Sequence, residues 1–430
     1  MTSWQAAREY DATLAAARDT LTAGLEQANQ ATATILPRLD LVGTGEHQRE
    51  EYRSGDPTET ATERTSGRVT NWSVQLAQPI YDANAFATRS QLLKETERAR
   101  IAFRVAEQDL ILRTAQACFD VLVAQTNLTL VRAQKQAVSQ QLAQAKKTFE
   151  LGLATITDKD EAQARYDTIL ATEIAARSTL QLAAAAYTNL TGLDPGKLQT
   201  VGDTTPQVDT PRDTLASLLA QTEQHNLALQ AERLGLDIAK SEIDRYRLSH
   251  SPIVQLVASY GREIDDGSIS SSGWRDRTDS GAIGVQVTVP LFSGGSRSSL
   301  LRQAKANASA SANALEALNR DVKLQTQQFY LDVVSGAARL HALDQARISG
   351  ASALQSSKTG RDVGVRTTLD VLNAEQTYYQ TLYDRTAARY QYLFSRLQLA
   401  ASLGELTDQQ LVSVNTWLNA PSSALDETQL

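Results

Sequence analysis

The chain has 430 residues, and its 42 Lys and Arg against 49 Asp and Glu give a formal net charge of −7. This mildly acidic balance offers no basic surface for nucleic acid, and a single cysteine, Cys118, excludes a disulfide framework and a cysteine-based zinc site. No run of about 18 apolar residues occurs, so a transmembrane helix is excluded.

No set of residues in the chain has the pattern of a catalytic or cofactor site. The four histidines (His47, His225, His250 and His341) are not at metal-ligand spacing. Phosphate-binding glycine loops and nucleophile motifs are missing as well. We therefore expect no enzyme activity, no cofactor and no bound metal. The first residues lack the basic and apolar segments of a signal peptide, so the protein either stays where it is made or is a mature or trimmed chain.

The first half begins with a helical segment that ends near Pro37. Two segments of alternating apolar and polar residues follow, from Leu39 to His47 and from Asn71 to Ile80, which is the period of a β-strand with one wet face. The charged stretch between them, Glu50 to Thr70, reads as an exposed loop. Trp72 beside it either belongs to an aromatic girdle at a membrane interface or packs locally in the hairpin.

Two very long helices are predicted next. Neither proline nor glycine occurs from residue 80 to residue 151 or from residue 153 to residue 191, and good helix formers dominate both stretches. A helix over residues 83–151 would be about 100 Å long. Such a helix must lie against other helices along its whole length, as in a coiled coil or a helical tube.

The second half repeats the first. The segment Gly152–Asp158 reappears as Gly364–Asp370 at an offset of 212, and Tyr166 pairs with Tyr378 at the same offset. The repeats are assigned as residues 1–211 (helix, hairpin at about 38–80, helices 83–151 and 155–191, linker) and residues 212–430 (helix, hairpin at about 252–292, helices 296–362 and 367–403, tail). In the second hairpin the strands are expected over Ile253–Gly261 and Gly281–Phe292, with an exposed loop over Arg262–Ser280 between them. Trp274 in this loop has the same two interpretations as Trp72.

Four strands per chain are too few to close a barrel, since the smallest barrels have about eight. An open sheet with two unpaired edges invites pairing with another chain. The sequence therefore predicts that several copies associate. Two copies would supply eight strands and three would supply twelve, and the strand count does not choose between them.

The ordered blocks Ala115–Leu122, Phe149–Asp158, Ala164–Leu170 and Val363–Leu372 resemble those of the TolC-like outer-membrane channel family, the exit ducts of tripartite efflux and type I secretion. The resemblance covers about residues 6–420. It implies a mainly α fold with a small β part: long antiparallel helices form an α-helical tunnel, and four strands per chain join a shared twelve-stranded β-barrel in a trimer. It also implies location in the outer membrane, contact with outer-membrane lipid, and a tunnel in the periplasm. The implied partners are a periplasmic adaptor protein and an inner-membrane pump or ABC transporter.

The two turns between long helices carry the candidate site. Thr155 with Asp158, and Thr367 with Asp370, have the spacing of a capping box with Asp in place of Glu, in which the threonine caps the following helix. By resemblance, Asp370 from three chains would form an acidic ring at a pore constriction and associate with cations. The residue one turn later, Asn373, would make this ring single rather than double.

The resemblance also implies a gate. Arg366, Thr157 and Asp158 match a polar latch between neighbouring helix pairs, and the adaptor would dock at the helix tips around Gly152, Leu153, Thr155, Gly364, Val365 and Thr367. The function expected is a passive conduit from the periplasm to the exterior, opened by the adaptor and pump complex. The alternative is a soluble coiled-coil structural protein, or a water-soluble redesign of such a duct, since the first hairpin has a thin apolar face.

Overall fold

The computed structural model describes residues 2–53, 62–152, 154–198 and 213–407. Within this part of the chain the elements, in order, are α1 (Thr2–Tyr10), α2 (Ala12–Ala33), β1 (Arg38–Arg53), β2 (Thr62–Tyr81), α3 (Ala83–Glu150), α4 (Ile156–Thr191), α5 (Leu215–His225), α6 (Leu227–Arg247), β3 (Ile253–Gly267), β4 (Arg275–Thr288), α7 (Ser296–Asp362) and α8 (Thr368–Ser402). The fold is therefore mainly helical with one small sheet, as predicted. The tail after Pro421 lies outside the described residues.

The chain forms two compact units. One comprises residues 1–20, 101–231 and 316–430, and the other comprises residues 21–100 and 232–315. Each unit therefore takes segments from both sequence repeats. The second unit contains the whole sheet, and the first contains both turns between the long helices.

The sheet has the strand order β1-β2-β3-β4, and every neighbouring pair is antiparallel. β1 and β4 are its two edges. The strands are longer than the sequence indicated: β1 continues to Arg53 and β3 to Gly267, through residues that were expected to be loops. The prediction of loops is therefore wrong for residues 50–53, 62–70, 262–267 and 275–280, which lie in strands.

Cross-strand pairing explains why these charged segments stay in the sheet. The guanidinium of Arg262 on β3 donates to the carboxylate of Asp279 on β4, with Nε–Oδ1 at 2.5 Å and Nη2–Oδ2 at 3.0 Å. Opposite charges directly across an antiparallel pair stabilise it, so polarity alone does not end a ladder. At the other end, β4 stops at Thr288 because Pro290 has no N–H to donate.

Each repeat begins with two helices where the sequence predicted one. Asp11 separates α1 from α2, and its Oδ2 accepts from the backbone N–H of Leu14 at 3.0 Å. Asn226 separates α5 from α6, and its Oδ1 accepts from Leu229 N–H at 3.2 Å. Short acceptor side chains at these positions cap the second helix of each pair, so the break is part of the duplication.

The first unit has its main core around α3, α7 and α8. The buried side chains include Leu110, Phe119 and Leu122 from α3, Val333 from α7, and Leu393 and Leu397 from α8. Phe119 and Tyr390 pack with their ring centroids 5.4 Å apart. On α3, Phe119 and Leu122 are buried, whereas Val105 is 37% exposed in the single chain.

The described helices include none with a stretch of side chains apolar and long enough to cross a lipid bilayer.

Candidate functional site at the turns between the long helices

Each long helix ends at a glycine with positive φ. Gly152 follows α3 with φ of +74°, and Gly364 follows α7 with φ of +79°. After α7 the backbone N–H groups of Gly364 and Val365 donate to the carbonyls of Arg361 and Gly360, both at 2.9 Å. This Schellman arrangement satisfies carbonyls that have no partner within the helix. A residue with a Cβ would be strained at either glycine, so both turns depend on glycine.

The expected capping boxes are present in both turns. Asp158 N–H donates to Thr155 Oγ1 at 3.2 Å, and Thr155 N–H donates to Asp158 Oδ2 at 3.0 Å. In the second turn Asp370 N–H donates to Thr367 Oγ1 at 3.1 Å, and Thr367 N–H donates to Asp370 Oδ2 at 2.9 Å. These reciprocal bonds fix where α4 and α8 begin, and they hold each carboxylate at a helix N-terminus.

Asp370 is the candidate constriction residue, and its carboxylate is held in the ionised form. Hydrogen bonds from the Thr367 backbone and side chain, followed by the charge of Arg366, hold the pKa of Asp370 below its usual value. The Arg366 guanidinium lies 3.9 Å from the Asp370 carboxylate, with both side chains well exposed. In one chain Arg366 thus faces its own helix, and the latch to Thr157 and Asp158 stays a prediction.

Asn373 has a partner that the sequence did not reveal. Arg165 on α4 donates through Nη2 to Asn373 Oδ1 at 2.7 Å and through Nη1 to Gln376 Oε1 at 2.6 Å, both on α8. A single guanidinium therefore ties the beginnings of the two shorter helices together, in a geometry that its fork of donors favours. The two helices start 212 residues apart, and no local signal predicts such a contact.

The turns expose apolar side chains beside the polar caps. Leu151 is 64% exposed in the first turn, and Val365 is 75% exposed in the second. The candidate docking residues Gly152, Thr155, Gly364 and Thr367 lie in the same turns. Leu153, the remaining docking candidate, lies outside the described residues. Adaptor docking at these turns stays a prediction.

The described residues hold no group of three or more His, Cys, Asp or Glu side chains that could bind a metal ion. Any cation association at Asp370 would require the same residue from several copies of the chain.

Comparison with known proteins identifies the family. A family model described as outer membrane efflux protein matches residues 4–193 and 218–405. Outer membrane protein TolC of Vibrio cholerae is 32% identical over 414 residues, which cover 96% of this chain and 92% of that protein. The chain belongs to the outer membrane efflux protein family. The resemblance expected from the sequence blocks is thereby confirmed, and the family is one of transport conduits.

Other members of the family agree with this assignment. Proteases secretion protein PrtF of Dickeya chrysanthemi is 29% identical over 422 residues, which cover 97% of this chain and 90% of that protein. The crystal structure of the outer membrane protein VceC from Vibrio cholerae superimposes with a TM-score of 0.77 at 20% identity, covering 94% of this chain and 95% of VceC. This likeness confirms the fold class.

Further along the long helices of this efflux-family chain, both repeats carry an ion pair at matched positions, with the charges exchanged. On α3 and α4 the pair is Arg132 with Glu173, at 3.4 Å. On α7 and α8, exactly one repeat offset later, it is Asp344 with Arg385, at 2.5 Å. The Glu173 carboxylate also accepts from Lys135 at 2.5 Å and Arg177 at 3.2 Å. Sequence reasoning missed both pairs, although aligning the repeats would have shown the exchange of charge.

A buried carboxylate links three helices near the second turn. Glu375 on α8 is 1% exposed, and its carboxylate lies 3.2 Å from Lys358 Nζ on α7. Gln141 on α3 donates to its other oxygen at 2.7 Å. A buried carboxylate needs such partners, because an unpaired one would be costly in the core. Glu375 therefore anchors the first turns of α8 to the two long helices.

Proposed function

We propose that this chain is the exit duct, in the outer membrane, of an efflux or type I secretion system. Several copies would form a passive path from the periplasm to the exterior, with no catalytic role of their own. Relatives named for efflux and for protease secretion support both routes. The observation that carries the proposal is an open sheet with two unpaired edges and one exposed apolar face.

Association of the chains would close this sheet. The β1 edge of one copy would pair with the β4 edge of the next, and three copies would give a cylinder of twelve strands. The helices support association as well, since Ile174, Leu182 and Leu324 are between 65% and 71% exposed on one chain. Side chains of this kind on very long helices are stable when neighbouring helices cover them.

The two turns would form the gate of the duct. Three copies of Asp370 around one axis would set carboxylates at a constriction, and an incoming cation would relieve their repulsion. Arg366 of one chain would bond to Thr157 and Asp158 of a neighbouring helix pair. Exposed pairs of this kind contribute roughly 0–1 kcal/mol each, so a few of them suit a gate that has to open.

A periplasmic adaptor would dock on the exposed apolar side chains of the turns, including Leu151 and Val365. An inner-membrane pump or ABC transporter would supply the energy that the duct lacks. Binding at the turns would shift α8 relative to α4, and the contact of Arg165 with Asn373 and Gln376 would have to break in that movement.

The alternative, a soluble coiled-coil structural protein or a water-soluble redesign of a duct, is disfavoured by the sheet. Leu41 is 74% exposed and Ile283 is 77% exposed on the same face, a surface that water tolerates poorly.

Planar-bilayer recording tests the proposed function. The purified chain should form trimers in detergent, lose solubility when detergent is removed, and give stepwise ion conductance after reconstitution. A well-behaved monomer in plain buffer, with no conductance in bilayers, would refute the duct and favour the soluble alternative.

A further inference from the structure

The two faces of the sheet differ sharply in chemistry. Because paired residues of an antiparallel sheet share a face, the register places Leu39, Leu76, Ala258 and Ile283 in one row on one face. The rows beside it add Leu41, Val74 and Tyr260 on one side, and Leu256 and Val285 on the other. We call this surface the apolar face. In a membrane sheet, such a face meets the lipid chains.

The apolar face ends at an aromatic boundary. The apolar face extends from the row of Val287 to the row of Asp279, which are eight residues apart on β4. This length is roughly 27 Å along the strand, or about 20 Å across a bilayer for a tilted strand. Tyr260 and Trp72 lie in the last two rows of this span and are 55% and 38% exposed. Exposed aromatic side chains at this height are typical of the interface between lipid chains and headgroups.

From the Trp72 row onward the same face is rich in arginine. In β1 to β4 as described, every arginine beyond the Leu41 row points to the apolar face, and we call this set the arginine patch: Arg49, Arg53, Arg64, Arg68, Arg262, Arg275 and Arg277. The same part of the face holds three acidic residues, Glu51, Asp266 and Asp279. The patch is therefore net positive.

The opposite face has the reverse charge at the same height. Its charged residues in the described strands beyond the Leu41 row are all acidic: Glu46, Glu50, Glu63, Glu263, Asp265 and Asp276. This separation means that the arginines are not there merely to neutralise acidic residues within the sheet. A surface that collects cations on its lipid side, just above the aromatic boundary, fits anionic groups in the headgroup layer.

Several arginines of the patch have no ionic partner in the described part of the chain. Arg262 is occupied by Asp279, and Arg53 and Arg64 lie within 3.5 Å of Glu51. Arg49, Arg68, Arg275 and Arg277 are exposed and form no direct ion pair with another described residue, although Arg277 interacts electrostatically with Asp279. Their guanidinium groups can therefore bond to ligand oxygens without first breaking an internal pair.

The turn after β3 leaves the patch open. Gly67 belongs to the face opposite the arginine patch, and Ile269 of this turn occupies the space where a side chain at Gly67 would lie. The turn therefore covers the opposite face and not the arginines. A side chain at Gly67 would collide with Ile269. The arginine patch is consequently accessible to ligands from the lipid side.

We propose that the arginine patch binds the phosphate groups of glycolipids in the outer leaflet of the outer membrane. The strand ends that join the helices lie at Arg38, Tyr81, Ile253 and Thr288, so the patch lies toward the hairpin turns, at the end away from the helices. With the helices on the periplasmic side, as the proposed function requires, the patch reaches the exterior headgroup layer. Arginine suits this ligand because its planar fork of N–H donors matches phosphate oxygens.

The test uses the full chain in an uncharged detergent, with lipid binding followed by native mass spectrometry. The probes are lipid A with both phosphates, lipid A with the phosphates removed, and phosphatidylethanolamine. The patch variant is Arg68→Gln, Arg275→Gln and Arg277→Gln in one chain. The matched control removes three exposed arginines of the helices, with Arg89→Gln, Arg104→Gln and Arg302→Gln.

The wild-type chain should prefer phosphorylated lipid A, and the preference should fall as salt is raised. The patch variant should bind it on the order of a hundredfold more weakly, given the usual gain per basic residue at an anionic lipid surface. The control should stay within about twofold of the wild type. Lysine at the three patch positions should give an intermediate loss, and this variant also serves as the test if the glutamine variant does not fold.

Equal binding of lipid A with and without phosphates would overturn the proposal, as would an equal loss in the patch variant and the control. Bilayer conductance separates this result from the proposed function. A chain that conducts ions without distinguishing the two lipids refutes the arginine patch alone. A chain that distinguishes them but never conducts refutes the duct.

Discussion

The exchanged ion pair of the second repeat allows a quantitative test of how the long helices recognise each other. Asp344 and Arg385 bridge α7 and α8 at 2.5 Å, with side chains only 25% and 13% exposed. The change is Asp344→Arg, which places two guanidinium groups at this contact. The partner change is Arg385→Glu, and the double variant recreates the arrangement of Arg132 with Glu173 in the first repeat.

The expected loss follows from burial and charge. Removing one partner of a buried ion pair lowers the free energy of unfolding by roughly 3–5 kcal/mol. The loss here should lie near the lower end of that range, because a long side chain at this contact can reach water. Asp344→Arg should therefore lower the free energy of unfolding by about 3 kcal/mol, and Arg385→Glu by a similar amount. For a chain of this size that corresponds to a midpoint about 3–6 °C lower. The double variant should recover to within about 1 kcal/mol of the wild type.

The assay is thermal unfolding in detergent, followed by circular dichroism at fixed protein concentration. Glu316→Arg is the matched control, since Glu316 pairs with Arg320 on α7 at 2.9 Å with both side chains more than half exposed. A surface pair of this kind contributes roughly 0–1 kcal/mol, so the control should hardly move the midpoint. A double variant as unstable as the sum of the two single variants would refute the reasoning.

The exchange of charge also has a consequence for folding. If α3 paired with α8 by mistake, Arg132 would meet Arg385, and Asp344 on α7 would meet Glu173 on α4. Both wrong pairings bring like charges together at a partly buried contact, which disfavours them. We therefore expect the two reversed pairs to help two similar helix hairpins find their own partners.

Three further predictions concern the turns and the core. Asp370→Ala should reduce block of the reconstituted channel by multivalent cations or raise its conductance. The control Asp160→Ala removes an exposed carboxylate near the start of α4 that is neither a cap nor part of the latch, and it should leave the block unchanged. If Asp370→Ala changes neither property, Asp370 is only a helix cap. Arg165→Gln removes both hydrogen bonds to α8 and should increase the time that the channel spends open in bilayer recordings. Arg165→Lys should give a smaller increase. Identical gating of the wild type and both variants would show that this contact does not restrain the gate. Cys118 is half-buried, and desolvation raises the pKa of its thiol to about 11, so the thiol stays protonated below that pH. Maleimide should therefore label Cys118 slowly at pH 8 in the folded protein and quickly after denaturation. Equally rapid labelling of both forms would contradict a raised pKa.

Local features of the fold were predictable because neighbouring residues decide them. The boundaries of α3 and α4 follow from the lack of proline and glycine, from Gly152, and from the capping pair of Thr155 with Asp158. The same pattern recurs at Gly364 with Thr367 and Asp370, so the boundary between α7 and α8 was predictable in the same way. The helix breaks at Asp11 and Asn226 were missed because Asp and Asn within a helical pattern are weak signals on their own.

The sequence by itself determined the long helices, the two capped turns, the duplication and the four strands, since each depends on contacts within a few residues of the chain. The tertiary structure alone decided how far the strands run, which face the arginines share, and that Arg165 reaches Asn373. These features depend on register and on the approach of segments about 200 residues apart, as at Arg68 and Asp266 or Arg165 and Gln376. No periodicity or capping pattern encodes such a pairing, because it arises only when the two segments pack together.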